Sequence, residues 1–335
     1  MANVLLLPGF LGSELYASPG FPWPQRRLWP PNLAFFWGDI PLTQLGADGL
    51  SPGPASGGAP VVAGGPVAAV YGPLYSLLTA LGHRVVFRGW DWRMDLIQQG
   101  AAIWGRLGPL LGGQRISLVA HSAGGLVAAA VYGAALSAGQ GAQIARVVTM
   151  GTPFFGSWSA VLAWWGMAPG YHAVQALQGW PGDFSAGPDA LDAAVASWPA
   201  LYQLQPFRNF GPLAQQQPDQ AAAIYSAAWY QGANPHLQSQ WWVRAAAAQA
   251  QLVGWTLPAI TTSIVGVGTP TVAALAFGPG PVGPPAALVT QDGDGVVTVA
   301  QASPVAVPVV AVPFPHSLLP LAPAVWAAVL SALGV

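Results

Sequence analysis

The strongest chemical signal in the sequence is a serine at a sharp turn between an apolar strand and an Ala-rich helix. Ile116–His121 is predicted as the strand and Ala123–Ala138 as the helix, with Ser122 between them. The small side chains of Ala120 and Ala123 and the following glycines let the two elements nearly touch, as in a nucleophile elbow. Ala120 stands where the first glycine of that motif usually lies. The alternative is an ordinary strand-to-helix turn, but the whole pattern favours Ser122 as a nucleophile.

A serine hydroxyl needs a base to become a nucleophile, and the base is usually a histidine. In chains that carry a nucleophile elbow, the order is Ser, then Asp or Glu, then His. His316 fits this order, because it follows a late apolar run, 305–312, and precedes a final helix. His121 lies in the elbow itself, and its side chain should point away from Ser122. The remaining histidines fit the order less well: His83, His172 and His236.

The acid that orients the base is expected between Ser122 and His316. The Gly-rich turn 291–297 supplies two candidates, Asp292 and Asp294, and spacing alone does not choose between them. A calcium loop is the alternative for this turn. The calcium-loop pattern ends in a bidentate Glu that the turn lacks, and elsewhere no His, Asp and Glu are spaced as metal ligands. We therefore expect no metal and no organic cofactor.

Residues 8–13 follow the first predicted strand and are expected to approach Ser122 from the side. We assign the oxyanion hole to the backbone N–H groups of Phe10 and Ala123. Neither of the glycine patterns that bind nucleotide phosphates is present. Substrate contacts are assigned to residues in this loop and in the turn after the strand at 146–150: Leu11, Phe154, Phe155 and Trp158.

The elements that must position these residues alternate between strands and helices. Continuous apolar runs predict buried parallel strands at Val4–Leu7, Arg84–Arg88, Ile116–His121, Arg146–Met150, Thr261–Val267 and Val305–Val312. Helices are predicted between and after them at Tyr71–Leu81, Asp95–Leu111, Ala123–Ala138 and Ala322–Leu333. The alternation predicts an α/β fold with a mostly parallel, doubly wound sheet. Ligands of such sheets bind at the carboxyl ends of the strands, where the candidate residues fall.

Two stretches do not fit the sheet. Residues 13–68 form an excursion rich in Pro, Gly and Trp, of which Ser51–Pro66 is typical of flexible chain. Residues 153–258 are too long for a loop and contain many of the tryptophans, with helices predicted at Ala190–Leu204 and Gln240–Leu252. We therefore expect a core formed by 1–152 and 259–335, with 153–258 inserted as a cap or lid.

Composition narrows the possible partners. Only 6% of the 335 residues are charged and the net charge is −1, so nothing favours nucleic-acid binding. The 16 tryptophans reflect either coding bias and core packing or an apolar face for a lipid or polymer substrate. There is no cysteine, no transmembrane pattern and no signal peptide at the start of the sequence. Cytoplasmic and secreted locations both stay open, as does the oligomeric state.

Several blocks together resemble the lecithin:cholesterol acyltransferase and lysosomal phospholipase A family of α/β-hydrolases. Val4–Ser13 is similar to that family's oxyanion loop, Gly89–Asp95 to its Tyr-Asp-Trp-Arg block, and Ala120–Gly125 to its elbow. Gly293–Val297 is similar to its Gly-Asp-Gly-Thr-Val block, and Gly151–Ser157 to the turn before its lid. The resemblance implies an α/β-hydrolase fold and selects Asp294 over Asp292 as the acid. Departures are Trp90 for Tyr, Val296 for Thr, and the absence of cysteines. Asp91 and Arg93 are expected to pair structurally rather than to act in catalysis.

The expected function is that of a serine esterase or lipase. It would cleave apolar carboxylic esters such as acylglycerols, phospholipids or aliphatic polyesters, or transfer their acyl groups, through an acyl-enzyme on Ser122. Whether water or an alcohol accepts the acyl group is left open. An amidase, a lactonase or a small-ester hydrolase on the same fold is the alternative. A lipid-binding protein without catalytic activity is a further alternative.

Overall fold

A computed structural model of the chain describes residues 2–18, 25–30, 39–168, 187–206, 234–255, 259–276 and 287–335. Its β-strands are β1 (Asn3–Leu7), β2 (Ser13–Ala17), β3 (Arg26–Trp29), β4 (Val61–Pro66), β5 (Arg84–Phe87), β6 (Ile116–His121), β7 (Ile144–Met150), β8 (Thr261–Gly266), β9 (Thr269–Ala276), β10 (Ala287–Gly293) and β11 (Val309–Val312). Its α-helices are α1 (Ala68–Ala80), α2 (Leu96–Leu111), α3 (Ala123–Ser137), α4 (Trp158–Ala163), α5 (Gly187–Ala196), α6 (Pro199–Gln203), α7 (Ser239–Gly254), α8 (Val299–Ala302) and α9 (Pro323–Leu333).

The central sheet has six strands in the order β11-β8-β7-β6-β1-β5, and every neighbouring pair is parallel. Each predicted parallel strand forms, although β11 begins four residues later than the predicted run that starts at Val305. In the register between β1 and β6, Leu7 lies opposite Ala120, so the loop after β1 emerges beside the loop after β6. This pairing places residues 8–13 next to Ser122.

Helices cover both faces of the sheet, and successive strand residues point toward opposite faces. Leu5 and Leu7 of β1 pack in a core cluster with α2 and α3. Val4 and Leu6 pack on the other face with α1 and α9. Strands that are buried on both faces read as continuous apolar runs, which explains why they could be recognised in the sequence.

The excursion after β1 is more regular than its composition predicts. β2 pairs with both β3 and β4 to form a small antiparallel sheet in the order β3-β2-β4. The prediction of flexible chain over Ser51–Pro66 is therefore wrong, since β4 occupies its last six residues. A second antiparallel pair, β9 with β10, runs into the first residues of the Gly-rich turn and was also not predicted.

The described part of the insertion is helical and shares the larger core cluster with the sheet. Helices α5 and α6 replace the single helix predicted over Ala190–Leu204, because the backbone is extended at Trp198, directly before Pro199. Trp158, Trp164 and Trp242 are buried in the cluster that also contains Leu5 of β1. The division into core and cap stays a prediction. No helix within the described ranges is both long and apolar enough to cross a membrane.

Candidate active site

Ser122 occupies a strained turn at the carboxyl end of β6. Its backbone has φ 54° and ψ −133°, a region that non-glycine residues rarely adopt and that costs about 1–3 kcal/mol. Neighbouring groups hold the turn: the Ser122 N–H donates to the Met150 carbonyl at 2.8 Å, and the Thr152 hydroxyl donates to the Ser122 carbonyl at 2.9 Å. This backbone conformation makes the Ser122 side chain project from the end of the sheet.

The structure brings Ser122, His316 and Asp294 together in one line of hydrogen bonds. His316 Nε2 lies 2.8 Å from Ser122 Oγ, and His316 Nδ1 lies 2.7 Å from Asp294 Oδ2. A carboxylate accepts hydrogen bonds, so Nδ1 carries the proton and Nε2 is free to accept the hydroxyl proton of Ser122. The His316 side chain is 13% exposed and that of Asp294 is 1% exposed, so the pair is largely shielded from water.

Asp294 reaches this position from outside the central sheet. It directly follows β10, and a Cβ added at Gly266, the last residue of β8, would lie 2.5 Å from the Asp294 Cβ. Asp294 Oδ1 accepts the N–H groups of Val296 at 2.9 Å and Val297 at 2.7 Å, while the His316 N–H donates to the Asp294 carbonyl at 2.8 Å. Both the side chain and the backbone of Asp294 thus fix the His316 loop.

Asp292, the other acidic candidate, lies apart from this line. Its exposed side chain accepts the N–H of Gly268, in the turn between β8 and β9, at 2.6 Å. The two aspartates therefore do not converge as ligands of a calcium loop would. Within the described residues, no group of three or more His, Asp or Glu side chains could hold a metal ion.

The loop after β1 forms a tight turn beside Ser122. The Gly12 N–H donates to the Gly9 carbonyl at 3.0 Å, and Leu11 has φ 60°, in the left-handed region. The Trp29 indole N–H holds this conformation by donating to the Leu11 carbonyl at 2.6 Å. Among the described residues, no acceptor engages the N–H groups of Phe10 and Ala123, the predicted oxyanion donors. The two N–H groups therefore stay candidates for the oxyanion hole.

Two buried tryptophans form hydrogen bonds to the two ends of the same loop. The Trp90 indole donates to the Pro8 carbonyl at 2.8 Å, and the Trp92 indole donates to the Ser13 carbonyl at 3.1 Å. The Ser13 hydroxyl in turn accepts a hydrogen bond from the backbone N–H of Trp90 at 3.0 Å. The Asp-Trp-Arg block was noted in the sequence, but no sequence signal indicated that its indoles hold the ends of the loop.

Asp91 and Arg93 form the structural ion pair that the sequence favoured. The Arg93 guanidinium binds both carboxylate oxygens of Asp91, at 2.9 Å from Nε and 2.6 Å from Nη2. Its Nη1 also donates to the Thr43 carbonyl at 3.0 Å. Both residues are buried. Their polar atoms bind other protein groups, and the pair thereby fastens the excursion to the turn before α2.

The predicted substrate-contacting residues divide into two groups. Leu11 and Phe155 are partly exposed and stay candidates for substrate contact. Phe154 is 3% exposed and Trp158 is fully buried in the core cluster, so neither offers a surface to a ligand. The assignment of direct contact to Phe154 and Trp158 is therefore corrected, since their side chains are used in packing behind the site.

A parallel sheet with helices on both faces and a strained serine at the end of β6 defines the α/β-hydrolase fold. No protein-family profile matches the chain, and no curated protein matches it in sequence. Similar solved structures include the mature form of the Bacillus licheniformis lipase BlEst2, at 14% identity and TM-score 0.40, with 99% of this chain and 91% of that chain covered. A chain of the Tle4–Tli4 complex is 12% identical at TM-score 0.44, with 79% of this chain and 74% of that chain covered. At this level of similarity, neither neighbour bears on the chemistry of the site.

Proposed function

We propose that this protein is a serine hydrolase that cleaves apolar carboxylic esters through an acyl-enzyme on Ser122. The observation that carries the proposal is the unbroken contact from Ser122 Oγ through His316 to Asp294, with distances of 2.8 and 2.7 Å. Nucleophile, base and orienting acid are each within hydrogen-bond reach of the next, which is the geometry that covalent acyl transfer requires.

In the first half of the reaction, His316 Nε2 takes the Ser122 proton while Oγ attacks the ester carbonyl carbon. The carbonyl oxygen becomes an oxyanion, which accepts hydrogen bonds from the N–H groups of Phe10 and Ala123. Asp294 stabilises the imidazolium that forms on His316. The C–O bond then breaks, His316 returns the proton to the leaving alkoxide, and an alcohol departs.

In the second half, a new hydroxyl compound attacks the acyl-enzyme, and His316 again accepts and returns the proton. Water as the acceptor gives a carboxylic acid, and an alcohol gives a new ester. Hydrolysis is the reaction we propose. Acyl transfer is the second possibility and is measured directly by offering a long-chain alcohol and following the formation of new ester against that of free acid.

An apolar acyl group is the proposed substrate feature because the residues beside the oxyanion loop are aromatic. Phe10 packs edge-on against Trp92, with 5.3 Å between ring centroids, and lies 6.3 Å from Trp198 of the insertion. Leu11, next to Phe10 in the chain, and Phe155, in the turn after β7, leave part of their side chains exposed. Of these residues, Phe10, Leu11 and Phe155 keep apolar surface exposed, which gives an alkyl chain area to bury and gives a charged group no partner.

Membership of the lecithin:cholesterol acyltransferase and lysosomal phospholipase A family is the finer proposal. It is supported by the combination of blocks noted in the sequence and by what they do in the fold. The Asp-Trp-Arg block contributes Trp90 and Trp92, which hold the oxyanion loop, and the Gly-Asp-Gly-Val-Val block contributes Asp294.

Covalent labelling tests the reaction class without knowledge of the natural ester. A fluorophosphonate should modify the wild-type protein at one residue, with the adduct mapped by mass spectrometry to the peptide that contains Ser122. Ser122→Ala should abolish labelling, while Ser137→Ala, on the helix that follows the elbow, should retain it. A folded wild-type protein that resists the reagent would contradict the proposal.

The acyl group is tested with p-nitrophenyl esters of graded chain length. We expect kcat/KM to rise from acetate to octanoate as more alkyl surface is buried, with each methylene contributing at most about 0.8 kcal/mol. A preference for acetate would indicate a small-ester hydrolase. Turnover of anilides in preference to the matching esters would indicate an amidase.

A further inference from the structure

A buried tyrosine and a buried histidine lie directly behind the candidate site. His121, the residue before Ser122, is 5% exposed, and Tyr71 of α1 is 2% exposed. His121 Nδ1 lies 2.9 Å from the Tyr71 hydroxyl, and His121 Nε2 lies 3.1 Å from the backbone carbonyl of His316. The side chain of His121 thus points away from Ser122, as the sequence predicted, but it points toward two groups that adjoin the site.

The acceptors and donors fix the direction of every hydrogen bond in this set. A carbonyl oxygen can only accept, so His121 Nε2 carries the ring proton and donates it to His316. Nδ1 is then an acceptor, and the Tyr71 hydroxyl donates to it. The Tyr71 oxygen accepts the Gly9 N–H at 2.9 Å. One continuous relay therefore runs from Gly9 through Tyr71 and His121 to the backbone of His316.

The two ends of the relay belong to the two loops that face Ser122 from opposite sides. Gly9 precedes Phe10, whose N–H is the proposed oxyanion donor. His316 carries the proposed base, and its ring centroid lies 4.9 Å from that of His121. Because the relay passes through the residue next to Ser122, it ties both loops to the elbow.

We propose that Tyr71 and His121 are positioning residues that hold the oxyanion loop and the His316 loop at a fixed separation on either side of Ser122. This inference rests on the proposed serine hydrolase function. Neither side chain touches the reacting atoms. Their contribution is to keep the Phe10 N–H and the His316 ring in place while charge develops, so it should be realised in the transition state and not in substrate binding.

The protonation states agree with this arrangement. The pKa of His121 is lowered well below its usual value, first by burial and then by the nearby His316. Burial also raises the pKa of Tyr71, so its hydroxyl keeps the proton that it donates. A neutral His121 does not repel the imidazolium that forms on His316 during the reaction. It also keeps Nδ1 free to accept from Tyr71.

The decisive variant is Tyr71→Phe, which removes one oxygen atom and leaves the ring in place. We expect kcat for p-nitrophenyl octanoate to fall about 10-fold, less than the roughly 100-fold or greater loss seen when an oxyanion donor is removed outright. KM should stay within about twofold, since substrate binding is not involved. Affinity for an octyl boronic acid, which forms a tetrahedral adduct on Ser122, should fall by the same factor as kcat/KM.

Tyr75→Phe is the matched control. Tyr75 lies one turn further along α1 and stacks on Phe87, with 5.1 Å between ring centroids, and it lies outside the relay. This variant should retain wild-type kcat and boronic acid affinity. Equal losses in the two variants would show a general effect on α1 and would overturn the inference.

A double-mutant cycle with His121→Leu tests whether the relay acts as a unit. Once His121 is replaced, Tyr71→Phe should reduce kcat by a clearly smaller factor than it does in the wild type. Independent, multiplicative losses would overturn the relay. Should His121→Leu not fold, the ¹⁵N spectrum of histidine-labelled protein replaces it. One ring that stays in the neutral Nε2–H form as the pH is lowered supports the relay, and the absence of such a ring contradicts it.

The possible failures can be told apart. A wild-type protein that neither hydrolyses the octanoate ester nor reacts with a fluorophosphonate contradicts the proposed function, and the inference with it. An active, labelled wild type whose Tyr71→Phe variant has unchanged kcat and boronic acid affinity contradicts the inference alone. A rise in KM without a fall in kcat would assign Tyr71 to substrate binding and would also overturn it.

Discussion

The backbone of Gly9 passes so close to Ser122 that a Cβ added at Gly9 would lie 2.7 Å from the Ser122 Cβ. The same added atom would lie 3.3 Å from both Nδ1 and the carbonyl oxygen of His121. Contact at this range is possible only for a residue without a side chain. The close approach brings the peptide of Phe10 to the side of Ser122, where the oxyanion of an ester would form.

Gly9→Ala should therefore damage catalysis more than stability. The new methyl group must push the oxyanion loop away from Ser122, and we expect kcat for an octanoate ester to fall by about 100-fold or more, comparable to the loss of an oxyanion donor. Gly65→Ala is the control, because a Cβ at Gly65 of β4 meets no atom within 4 Å. Equal kcat values for the two variants would show that the loop tolerates displacement.

Asp294→Asn and Asp292→Asn should differ sharply. Asn at 294 no longer enforces the tautomer with a proton on His316 Nδ1, and by analogy with serine proteases kcat should fall by about 10⁴. Among the described residues, the exposed side chain of Asp292 accepts only the Gly268 N–H, so Asp292→Asn should keep kcat within about threefold. Similar losses in both would indicate that the turn acts through a shared structural or metal-binding role. Steady-state kinetics on a p-nitrophenyl ester measures both.

The sheet and its candidate triad could be predicted because each rests on a local pattern. Strands such as β6 are buried on both faces and so are continuously apolar, and Ser122 is marked by small neighbours on both sides. His316 followed from chain order and from its place between a late apolar run and a final helix. Asp294 was chosen over Asp292 through a family resemblance, and the structure supplies a physical reason: Asp294 lies against Gly266 at the end of β8, whereas Asp292 turns outward.

Features that depend on long-range contacts could not be predicted. Nothing near Tyr71 in the sequence indicates that its hydroxyl meets Gly9, 62 residues away. The tryptophan pattern did not separate Trp158, which is fully buried, from residues that face a ligand. Antiparallel strands such as β4 and β10 were missed because glycine, proline and polar residues interrupt their alternation, and pairing with β2 and β9 overrides the weak local preference.

Arg93→Leu should lower stability with little change in the chemistry. The substitution leaves the Asp91 carboxylate buried without its bidentate partner, at a cost of about 3–5 kcal/mol in the free energy of unfolding. Arg106→Leu, at an exposed position on α2, should change it by less than about 0.5 kcal/mol. Urea unfolding measures both. A stable Arg93→Leu protein would show that water or another group reaches Asp91.

The pH dependence of stability should carry the signature of His121. Its pKa in the folded protein is lowered by burial and by His316, whereas a histidine in the unfolded chain titrates near about 6.5. Below that pH, residue His121 binds a proton in the unfolded chain but stays neutral in the folded protein. The free energy of unfolding must then decrease as the pH falls, by up to about 1.4 kcal/mol per pH unit from this residue.

Urea unfolding of the wild type and of His121→Gln between about pH 6.5 and 5 isolates this contribution. Gln has no proton to gain, so the stability of the variant should fall less steeply with decreasing pH, and the two curves should converge toward the acid end. Tyr71 and His316 face position 121 in the wild type, and both residues are retained in the variant, so the comparison changes residue 121 alone. Parallel curves would mean that His121 accepts a proton in the folded state, which would contradict its role as a neutral acceptor for Tyr71.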